Sequence, residues 1–338
     1  MAKMALAMPH PMPDPATLAP AVPWLALWLA LAIDRWLGEP PARLHPVVWM
    51  GSYLGAIGRR VAPPAHGARA ARALDLPMFF VGALAWCVGA ACVGGIAMAL
   101  QTLVVQRLPV WAAVLLLGLL LKPLFAWRML RAEVLAVEAA LGVSLEAGRL
   151  QLARLVSRDV SLLSEREVRE SAIESLAENL NDSLVAPVFW FVLLGLPGAA
   201  VYRFANTADA MWGYRGERSG RDWTWLGKWA ARADDVLSWL PARITVLLLA
   251  LAAWRWPRGL AREARRTPSP NSGWPMAAMA LLLGVRLAKP GVYALNAEGR
   301  APCAADMQRT AQLGERAALA LGLFASLAIV SAAGWRWA

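Results

Sequence analysis

The chain has 338 residues, of which 59% are hydrophobic, with a mean hydropathy of +0.46 and a formal net charge of +11. The apolar residues fall in long blocks, which excludes an ordinary soluble domain and indicates an integral membrane protein. Three cysteines and three histidines exclude a disulfide framework and a histidine-rich metal centre, and the dispersed basic residues form no nucleic-acid-binding motif.

The N-terminal part divides into a leader and a short apolar segment. Residues 1–20 are rich in Pro and Met without periodicity, which predicts a disordered leader. Residues 21–33 are apolar and end in Asp34-Arg35, and we expect this segment to be retained because the only Lys or Arg before it is the distant Lys3. His45 precedes a proline and is interpreted as a structural loop residue. We treat residues 21–338 as one membrane domain.

Two long apolar stretches follow. Leu76 to Leu100 has 25 residues without a formal charge, which predicts a transmembrane helix about 37 Å long. Pro109 to Trp127 is a second candidate, because its apolar residues offset the cost of about 3 kcal/mol for the central Lys122. The short connection between them is expected outside the cell. The Arg-bearing stretches 39–75 and 128–183 are then expected on the cytoplasmic side.

An acidic segment precedes the next apolar run. Read as a helix, Ser171, Glu174, Glu178 and Asp182 have i, i+3, i+7 and i+11 spacing and share one stripe. Such a stripe can hold Mg²⁺, which takes carboxylate oxygens and leaves room for substrate phosphates. The alternative is an exposed acidic helix face.

The apolar run from Leu184 to Phe204 is interrupted by Gly195-Leu196-Pro197-Gly198. A breaker in the middle of the run predicts two half-helices, each too short to span a membrane. We predict a re-entrant pair, because a simple crossing would separate the polar residues 206–214 from the acidic stripe. Irregular backbone at that depth must be buried in protein or line a cavity.

The C-terminal part carries further polar motifs. Asp234-Asp235 precede an apolar run that ends at Trp256. The connection 267–275 is rich in Pro, Ser and Gly and is either a plain linker or an ordered turn that presents N–H groups and hydroxyls to an anion. Residues 276–288 predict a short apolar helix, and Ala317 to Gly334 a last span. The predicted fold is an all-α polytopic membrane protein with about 4–6 apolar helices, a re-entrant pair and cytoplasmic motif loops.

Eight motifs, in order from about residue 30 to 295, give the chain a resemblance to the CobD/CbiB family of cobalamin biosynthesis. They are Asp34 to Gly38 with Pro40 and His45-Pro46-Val47; Ser157-Arg158-Asp159; Glu174 to Asn179 with Asp182 and Ala186-Pro187; Gly195 to Ala199; Asn206-Thr207 with Asp209, Met211 and Gly213-Tyr214; Ala233 to Val236; Pro241-Ala242-Arg243; and Pro268 to Pro275. The chain departs from the family pattern at Ser183, where glycine is usual, and at Leu287 to Pro290 with Tyr293-Ala294.

The resemblance implies an ATP-dependent ligase that joins an amino-alcohol phosphate, such as aminopropanol phosphate, to adenosylcobyric acid, the corrinoid substrate. It implies a multi-pass protein of the cell inner membrane, with other enzymes of the pathway as further partners. Glu174, Glu178 and Asp182, with Asp159 or Asp209, are expected to hold Mg²⁺. Asp234 or Asp235 is expected to accept the ammonium proton, unless this pair caps a helix. The expected phosphate- and substrate-binding residues are Arg158, Asn179, Arg203, Asn206, Arg215, Arg243, Ser269, Asn271 and Ser272.

Two other functions remain open. A transporter or channel also uses broken helices and carboxylates at membrane depth. Most polar residues here are expected in connections and at segment ends, and no inverted repeat is evident, which favours an enzyme. A non-catalytic scaffold of the corrinoid pathway would need none of the ordered Asn, Asp and Pro-Ser motifs.

Overall fold

The computed structural model describes residues 21–65 and 75–335, so the predicted leader at 1–20 lies outside the described residues. The described chain is almost entirely helical, with two short antiparallel hairpins, and the prediction of an all-α fold is confirmed. The helices are α1 (Val22–Trp36), α2 (Pro46–Val61), α3 (Leu76–Arg107), α4 (Val110–Leu121), α5 (Trp127–Leu141), α6 (Leu145–Leu152), α7 (Glu165–Leu180), α8 (Ala186–Trp212), α9 (Lys228–Ala252), α10 (Leu260–Ala264), α11 (Gly273–Leu283) and α12 (Ala304–Trp335). The hairpins pair β1 (Glu217–Arg218) with β2 (Arg221–Asp222), and β3 (Leu287–Lys289) with β4 (Tyr293–Leu295).

Five helical stretches in the described part of the chain are long and apolar enough to cross a membrane. They are Leu76–Arg107, Val110–Leu141, Glu165–Trp212, Lys228–Ala252 and Ala304–Ser331. The chain is therefore a multi-pass membrane protein, as its composition predicted. The α3 helix is hydrophobic nearly all round, and only 17% of its most apolar window is buried inside the protein, which is typical of a helix that faces lipid.

The chain reverses direction inside α8. Gly195 has a φ of +69° and a ψ of −157°, and the Leu196 N–H beyond it donates to Gln101 Oε1 at 2.7 Å. After this break Arg203 Nη1 lies 3.3 Å from the Asp182 carbonyl oxygen, although a straight helix would separate the two residues by about 30 Å. The break at 195–198 thus makes a helical hairpin, as the sequence predicted. Its arms are not short half-helices, however, because the first arm continues from α7 without a gap and the second reaches Trp212.

We expect Gly195→Ala to weaken this hairpin. A positive φ strains any residue with a Cβ, and the added Cβ would meet the Gln101 amide. The expected loss is about 1–3 kcal/mol, measured as earlier loss of monodisperse protein on heating in detergent. Gly95→Ala in α3 is the matched control, because a Cβ there meets nothing within 4 Å. Equal heat resistance of the two variants would contradict this role of Gly195.

The predicted span Pro109 to Trp127 is interrupted at Lys122, where α4 ends and a 3₁₀ turn, Lys122–Leu124, begins. Lys122 is only 2% exposed. Its ammonium lies 3.1 Å from Asp34 Oδ1 and 2.7 Å from Glu39 Oε1. The charge is thus paired within the protein, and the cost assigned to an unpaired Lys at the centre of a span does not apply.

Glu39 extends this ion-pair network to His45. Glu39 Oε2 lies 3.2 Å from His45 Nε2, while His45 Nδ1 accepts the Val47 N–H at 3.3 Å and caps α2. Burial alone would raise the pKa of Glu39, but the hydrogen bonds from His45 and Lys122 outweigh it, and the pKa lies below the ordinary value. His45 therefore has the structural role that its place before a proline predicted.

Glu174 and Glu178 lie in α7, so the helix predicted for the acidic stripe is present. The structure differs from the expectation that most polar residues lie in connections and at segment ends, because Asn206 and Asp209 lie inside α8 and Asp234 lies inside α9. The predicted apolar helix at 276–288 also differs: α11 begins at Gly273 and ends at Leu283, and residues 287–289 form β3. These helices pack on one another through a continuous set of buried apolar side chains, so tertiary packing overrides the local preference of Asn and Asp for turns.

Candidate active site

The α7 helix buries polar side chains. It begins at Ser164, which forms a capping box with Glu167. Glu170, Glu174 and Ser175 on the same helix are 1%, 6% and 5% exposed. Because buried polar groups need a partner or a ligand, these positions indicate a site. The alternative of an exposed acidic helix face is therefore wrong for Glu174.

Glu174 and Glu178 line an acidic cavity of about 190 Å³. Arg158, on the wall of this cavity, donates to Ser171 Oγ, and its Nη2 lies 3.8 Å from Glu174 Oε2. Glu174 Oε1 and Arg158 Nε are buried, and no described residue hydrogen-bonds to either atom. The Glu178 carboxylate likewise receives no hydrogen bond from the described part of the chain. This cavity is thus lined by hydrogen-bond acceptors and donors that have no partner among the described residues. Its lining residues are Leu155, Val156, Ser157, Arg158, Ser171, Glu174, Ser175, Glu178, Asn179, Lys289 and Tyr293.

Asp182 lies just beyond α7, in a π-helical turn, Asn181–Val185, that joins α7 to α8. Its Oδ1 accepts a hydrogen bond of 2.7 Å from Asn181 Nδ2, and Asn181 Oδ1 accepts one of 3.1 Å from Thr245 Oγ1 on α9. Such turns recur at functional sites, because the wider turn re-aims side chains and carbonyl groups. Asp182 interacts electrostatically with Glu178, so the acidic stripe predicted from spacing is present.

The second arm of α8 brings further polar groups to Asp182. Arg203 Nη1 lies 3.3 Å from Asn206 Oδ1, and Asn206 Nδ2 lies 3.5 Å from Asp234 Oδ1 on α9. Asp234 is close enough to Asp182 and Asp209 for their charges to interact. The Arg203 Nε–H is buried and donates to no described residue. Four predicted residues, Arg203, Asn206, Asp209 and Asp234, therefore meet around Asp182.

Other predicted residues lie at the margin. Asn179 lines the acidic cavity, and its Nδ2 donates to the Ser175 carbonyl at 2.9 Å. Asp159 is exposed and accepts the Ser161 N–H at 2.9 Å, which lowers its pKa, so it caps a surface turn. Asp234 and Asp235 lie well inside α9, so the alternative that they cap a helix is wrong. Asp235 faces a shallow apolar groove and attracts the exposed Arg215.

The loop at 267–272 is an ordered turn attached to α9. Ser269 Oγ accepts the N–H groups of Asn271 and Ser272, both at 3.2 Å. The Asn271 amide donates to the Asp235 carbonyl at 2.6 Å and accepts from Arg243 Nη1 at 2.6 Å. Arg243 also stacks between two tryptophan rings. These groups are engaged within the protein, so the N–H groups of Asn271 and Ser272 are not offered to an anion.

Lys289 and Tyr293 were not predicted as site residues. They stand opposite each other in the β3–β4 hairpin and line the acidic cavity. Burial, with Glu174 and Glu178 nearby, raises the pKa of Tyr293, so its phenol stays a hydrogen-bond donor at neutral pH. The available signal was Pro290-Gly291 between the two residues, a turn dipeptide just beyond the helix predicted at 276–288.

The site fits Mg²⁺ bound together with a nucleotide. Its free acceptors are carboxylate oxygens, which this ion prefers, and Glu174 Oε1 is buried without a partner among the described residues. No three His, Cys, Asp or Glu side chains in residues 21–65 and 75–335 are arranged to hold a metal by themselves. Mg²⁺ commonly binds through one or two carboxylates plus substrate phosphates and water, so this arrangement is compatible with it.

A family profile described as CobD/Cbib protein matches residues 27–321. A "Probable cobalamin biosynthesis protein CobD" of Methanothermobacter thermautotrophicus is 40% identical over 282 residues, which cover 80% of this chain and 86% of that protein. One of Thermococcus kodakarensis is 41% identical, over 86% of this chain and 90% of that protein. The "Cobalamin biosynthesis protein CobD" of Rhodobacter capsulatus is 37% identical, over 90% of this chain and 98% of that protein. No solved structure matches the chain significantly.

Proposed function

Because the chain belongs to the CobD/CbiB family of cobalamin biosynthesis, we propose that it is an ATP-dependent amide ligase. It joins the amine of aminopropanol phosphate, or of a related amino alcohol, to the free propionate carboxylate of adenosylcobyric acid. The product is adenosylcobinamide phosphate. The observation that carries the proposal is the acidic cavity, where the unpartnered Glu178 carboxylate meets Glu174, Arg158 and Tyr293.

The reaction requires activation of the corrinoid carboxylate. A carboxylate does not acylate an amine at neutral pH, so we propose that its oxygen first takes the γ-phosphoryl group of ATP, which releases ADP. The amine nitrogen then attacks the acyl carbon, the C–N bond forms, and inorganic phosphate leaves with one carboxylate oxygen. Positioning and charge neutralisation supply most of the catalysis of such a phosphoryl transfer.

The proposed roles follow from the contacts. Arg158 and Arg203 each keep a buried Nε without a hydrogen bond from the described residues, and they are candidates for phosphate binding. Asn206, held between Arg203 and Asp234, orients substrate. Asp234 is a better candidate than Asp235 to take the ammonium proton, because it lies among the site carboxylates. Arg243 and Asn271 brace the loop at 267–272 against α9.

Mg²⁺ bound with the nucleotide would be held by one or two of the carboxylates of Glu174, Glu178 and Asp182, together with phosphate oxygens, and would neutralise phosphate charge. ATP is a cytoplasmic substrate, so the site is proposed to face the cytoplasm from the cell inner membrane. The excess of Arg in the connections agrees with that orientation. Other enzymes of the corrinoid pathway are proposed as partners, because the product must pass to the next step.

Purified protein in detergent tests the proposal. It is incubated with adenosylcobyric acid, aminopropanol phosphate and Mg-ATP, and the products are followed by mass spectrometry. We expect the phosphorylated amide together with one ADP per amide, and no amide when ATP is omitted. Omission of Mg²⁺ with added chelator should also abolish the product. Absence of amide with any amino alcohol or nucleotide would contradict the ligase.

The broken hairpin and the carboxylates inside helices also favour a second candidate, a transporter. Protein reconstituted in liposomes distinguishes the two. A transporter would move labelled corrinoid across the bilayer without ATP-dependent amide formation. The ligase would form the amide in detergent, where no second compartment exists.

A further inference from the structure

A second cavity adjoins the acidic one. It has a volume of about 550 Å³, lies between the start of α7 and the β3–β4 hairpin, and shares Lys289 and Tyr293 with the acidic cavity. Pockets of this size accommodate small-molecule ligands. The Lys289–Tyr293 pair therefore lies between the two cavities and lines both of them.

The larger cavity contains two cations that form no ion pair with a described carboxylate. It is lined by Arg286 and Lys289, and by Arg166, which is paired with Glu170. Arg286 Nε is buried without a hydrogen bond to any described residue. No described side chain forms an ion pair with Arg286 or Lys289, although Glu174 and Glu178 attract Lys289 at longer range. The backbone of Arg286 is held by its N–H bond to the Arg300 carbonyl at 2.9 Å. A fixed backbone and an unpaired buried donor together favour an anionic ligand.

The two carboxylates of the same cavity are already engaged. Glu170 accepts from Arg166 Nε at 2.7 Å and from the Ala288 N–H at 3.0 Å. Glu167 accepts from the Ser164 N–H at 2.8 Å and from its hydroxyl at 2.7 Å, as part of the capping box. Neither carboxylate pairs with Arg286 or Lys289 in the described part of the chain, so both cations remain available to a ligand.

We propose that the larger cavity binds the phosphate group of a phosphate ester, with Arg286 and Lys289 as its ligands, and that the rest of the ester reaches the acidic cavity past Tyr293. The charge arrangement carries this inference. Cations on one side of the Lys289–Tyr293 pair suit a phosphate, while Glu174 and Glu178 on the other side suit a positive group such as an ammonium or a metal ion.

The identity of the ester rests on the proposed function, which offers two sources. An amino-alcohol phosphate carries phosphate and ammonium on one short chain and would extend across the Lys289–Tyr293 pair. A nucleotide would place its polyphosphate there and bring Mg²⁺ to the carboxylates. The shared chemistry is recognition of phosphate by Arg286 and Lys289, and binding experiments with each ester separate the sources.

The test measures binding without turnover. The full chain in detergent is titrated by calorimetry with aminopropanol phosphate and, separately, with a non-hydrolysable ATP analogue. Arg286→Gln and Lys289→Gln should each raise the Kd of one ester by about 10- to 100-fold, as expected for loss of a charge-assisted hydrogen bond. Arg265→Gln is the control, because Arg265 is exposed, and it should leave both Kd values unchanged.

Each outcome decides the question. If the two variants bind only aminopropanol phosphate more weakly, the cavity is assigned to the amino-alcohol phosphate. If they bind only the ATP analogue more weakly, it is assigned to the nucleotide. Wild-type affinity of both variants for both esters, or no binding of either ester to the wild-type protein, would overturn the site. Lys289 is exposed at the end of β3, so Lys289→Gln should preserve the fold.

The binding site and the ligase activity can fail separately. If the variants bind an ester more weakly but the wild-type protein forms no amide, the phosphate site stands and the proposed ligase is contradicted.

Discussion

Replacing Glu178 by Gln is expected to lower the rate of amide formation by roughly 100- to 1,000-fold, the range for loss of one fixed group that stabilises charge in the transition state, because Glu178 is proposed to hold Mg²⁺. The two side chains have nearly the same shape, so packing around α7 should be retained. The change removes a carboxylate that lines the acidic cavity and accepts no hydrogen bond from the described residues. The measurement is kcat in the reconstituted assay, with the Mg²⁺ concentration for half-maximal activity as a second readout.

The matched control is Glu146→Gln, the same chemical change at a side chain that is 69% exposed on α6. It should leave kcat and the Mg²⁺ requirement unchanged. Asp182→Asn should resemble Glu178→Gln, because Asp182 continues the same stripe into the π-helical turn. Full activity and an unchanged Mg²⁺ requirement in both Glu178→Gln and Asp182→Asn would remove the acidic stripe from the site.

Lys122→Met is expected to cost about 3–5 kcal/mol of stability, because it leaves the buried Asp34 and the half-buried Glu39 without their shared cation. Lys122 is paired with both Asp34 and Glu39, and Asp34 is itself only 2% exposed. The measurement is the temperature at which half of the detergent-solubilised protein is lost from the monodisperse peak, since membrane proteins commonly unfold irreversibly.

Two further variants separate this effect from a general loss of charge. Lys228→Met removes a lysine that lies 3.8 Å from the centre of the Trp225 ring, and it should cost only about 0.5–1 kcal/mol. A triple variant, Lys122→Met with Asp34→Asn and Glu39→Gln, should recover part of the loss, because no unpaired charge stays buried. A triple variant less heat-resistant than Lys122→Met alone would contradict the ion-pair explanation.

Local sequence patterns were sufficient for features that depend on neighbouring residues. The i, i+4 spacing of Glu174 and Glu178 placed both carboxylates on one face, and both line the same cavity. The glycine and proline at 195–198 predicted the chain reversal, because glycine tolerates a positive φ and proline interrupts a helix. Each inference needed only spacing or backbone geometry within about ten residues.

Contacts between distant segments could not be predicted in this way. Lys122 was judged by its cost inside a single helix, but its partners Asp34 and Glu39 lie more than eighty positions earlier in the chain. Lys289 and Tyr293 join the site through long-range contacts of their hairpin, such as the hydrogen bond from the Ala288 N–H of β3 to Glu170. Periodicity describes one element at a time, so it carries no information on which elements meet.

The preference of Asn and Asp for turns led to a wrong expectation of where these residues lie. Asn206, Asp209 and Asp234 belong to residue types that favour turns, and they were expected in connections or at segment ends. They lie inside α8 and α9, where the packing of long apolar helices outweighs the helix propensity of single residues. The polar groups are consequently carried by rigid helices, which suits a site that must hold two substrates in register.

The most direct measurement of the proposed chemistry follows the carboxylate oxygen of the corrinoid substrate into the products. Adenosylcobyric acid labelled with ¹⁸O in its free carboxylate is converted by the purified protein with aminopropanol phosphate and Mg-ATP, and the released nucleotide and phosphate are analysed by mass spectrometry. Activation by phosphoryl transfer predicts one ¹⁸O atom in the inorganic phosphate for each amide formed, with ADP unlabelled. Amide formation with unlabelled phosphate, or with the label in AMP, would contradict the proposed mechanism.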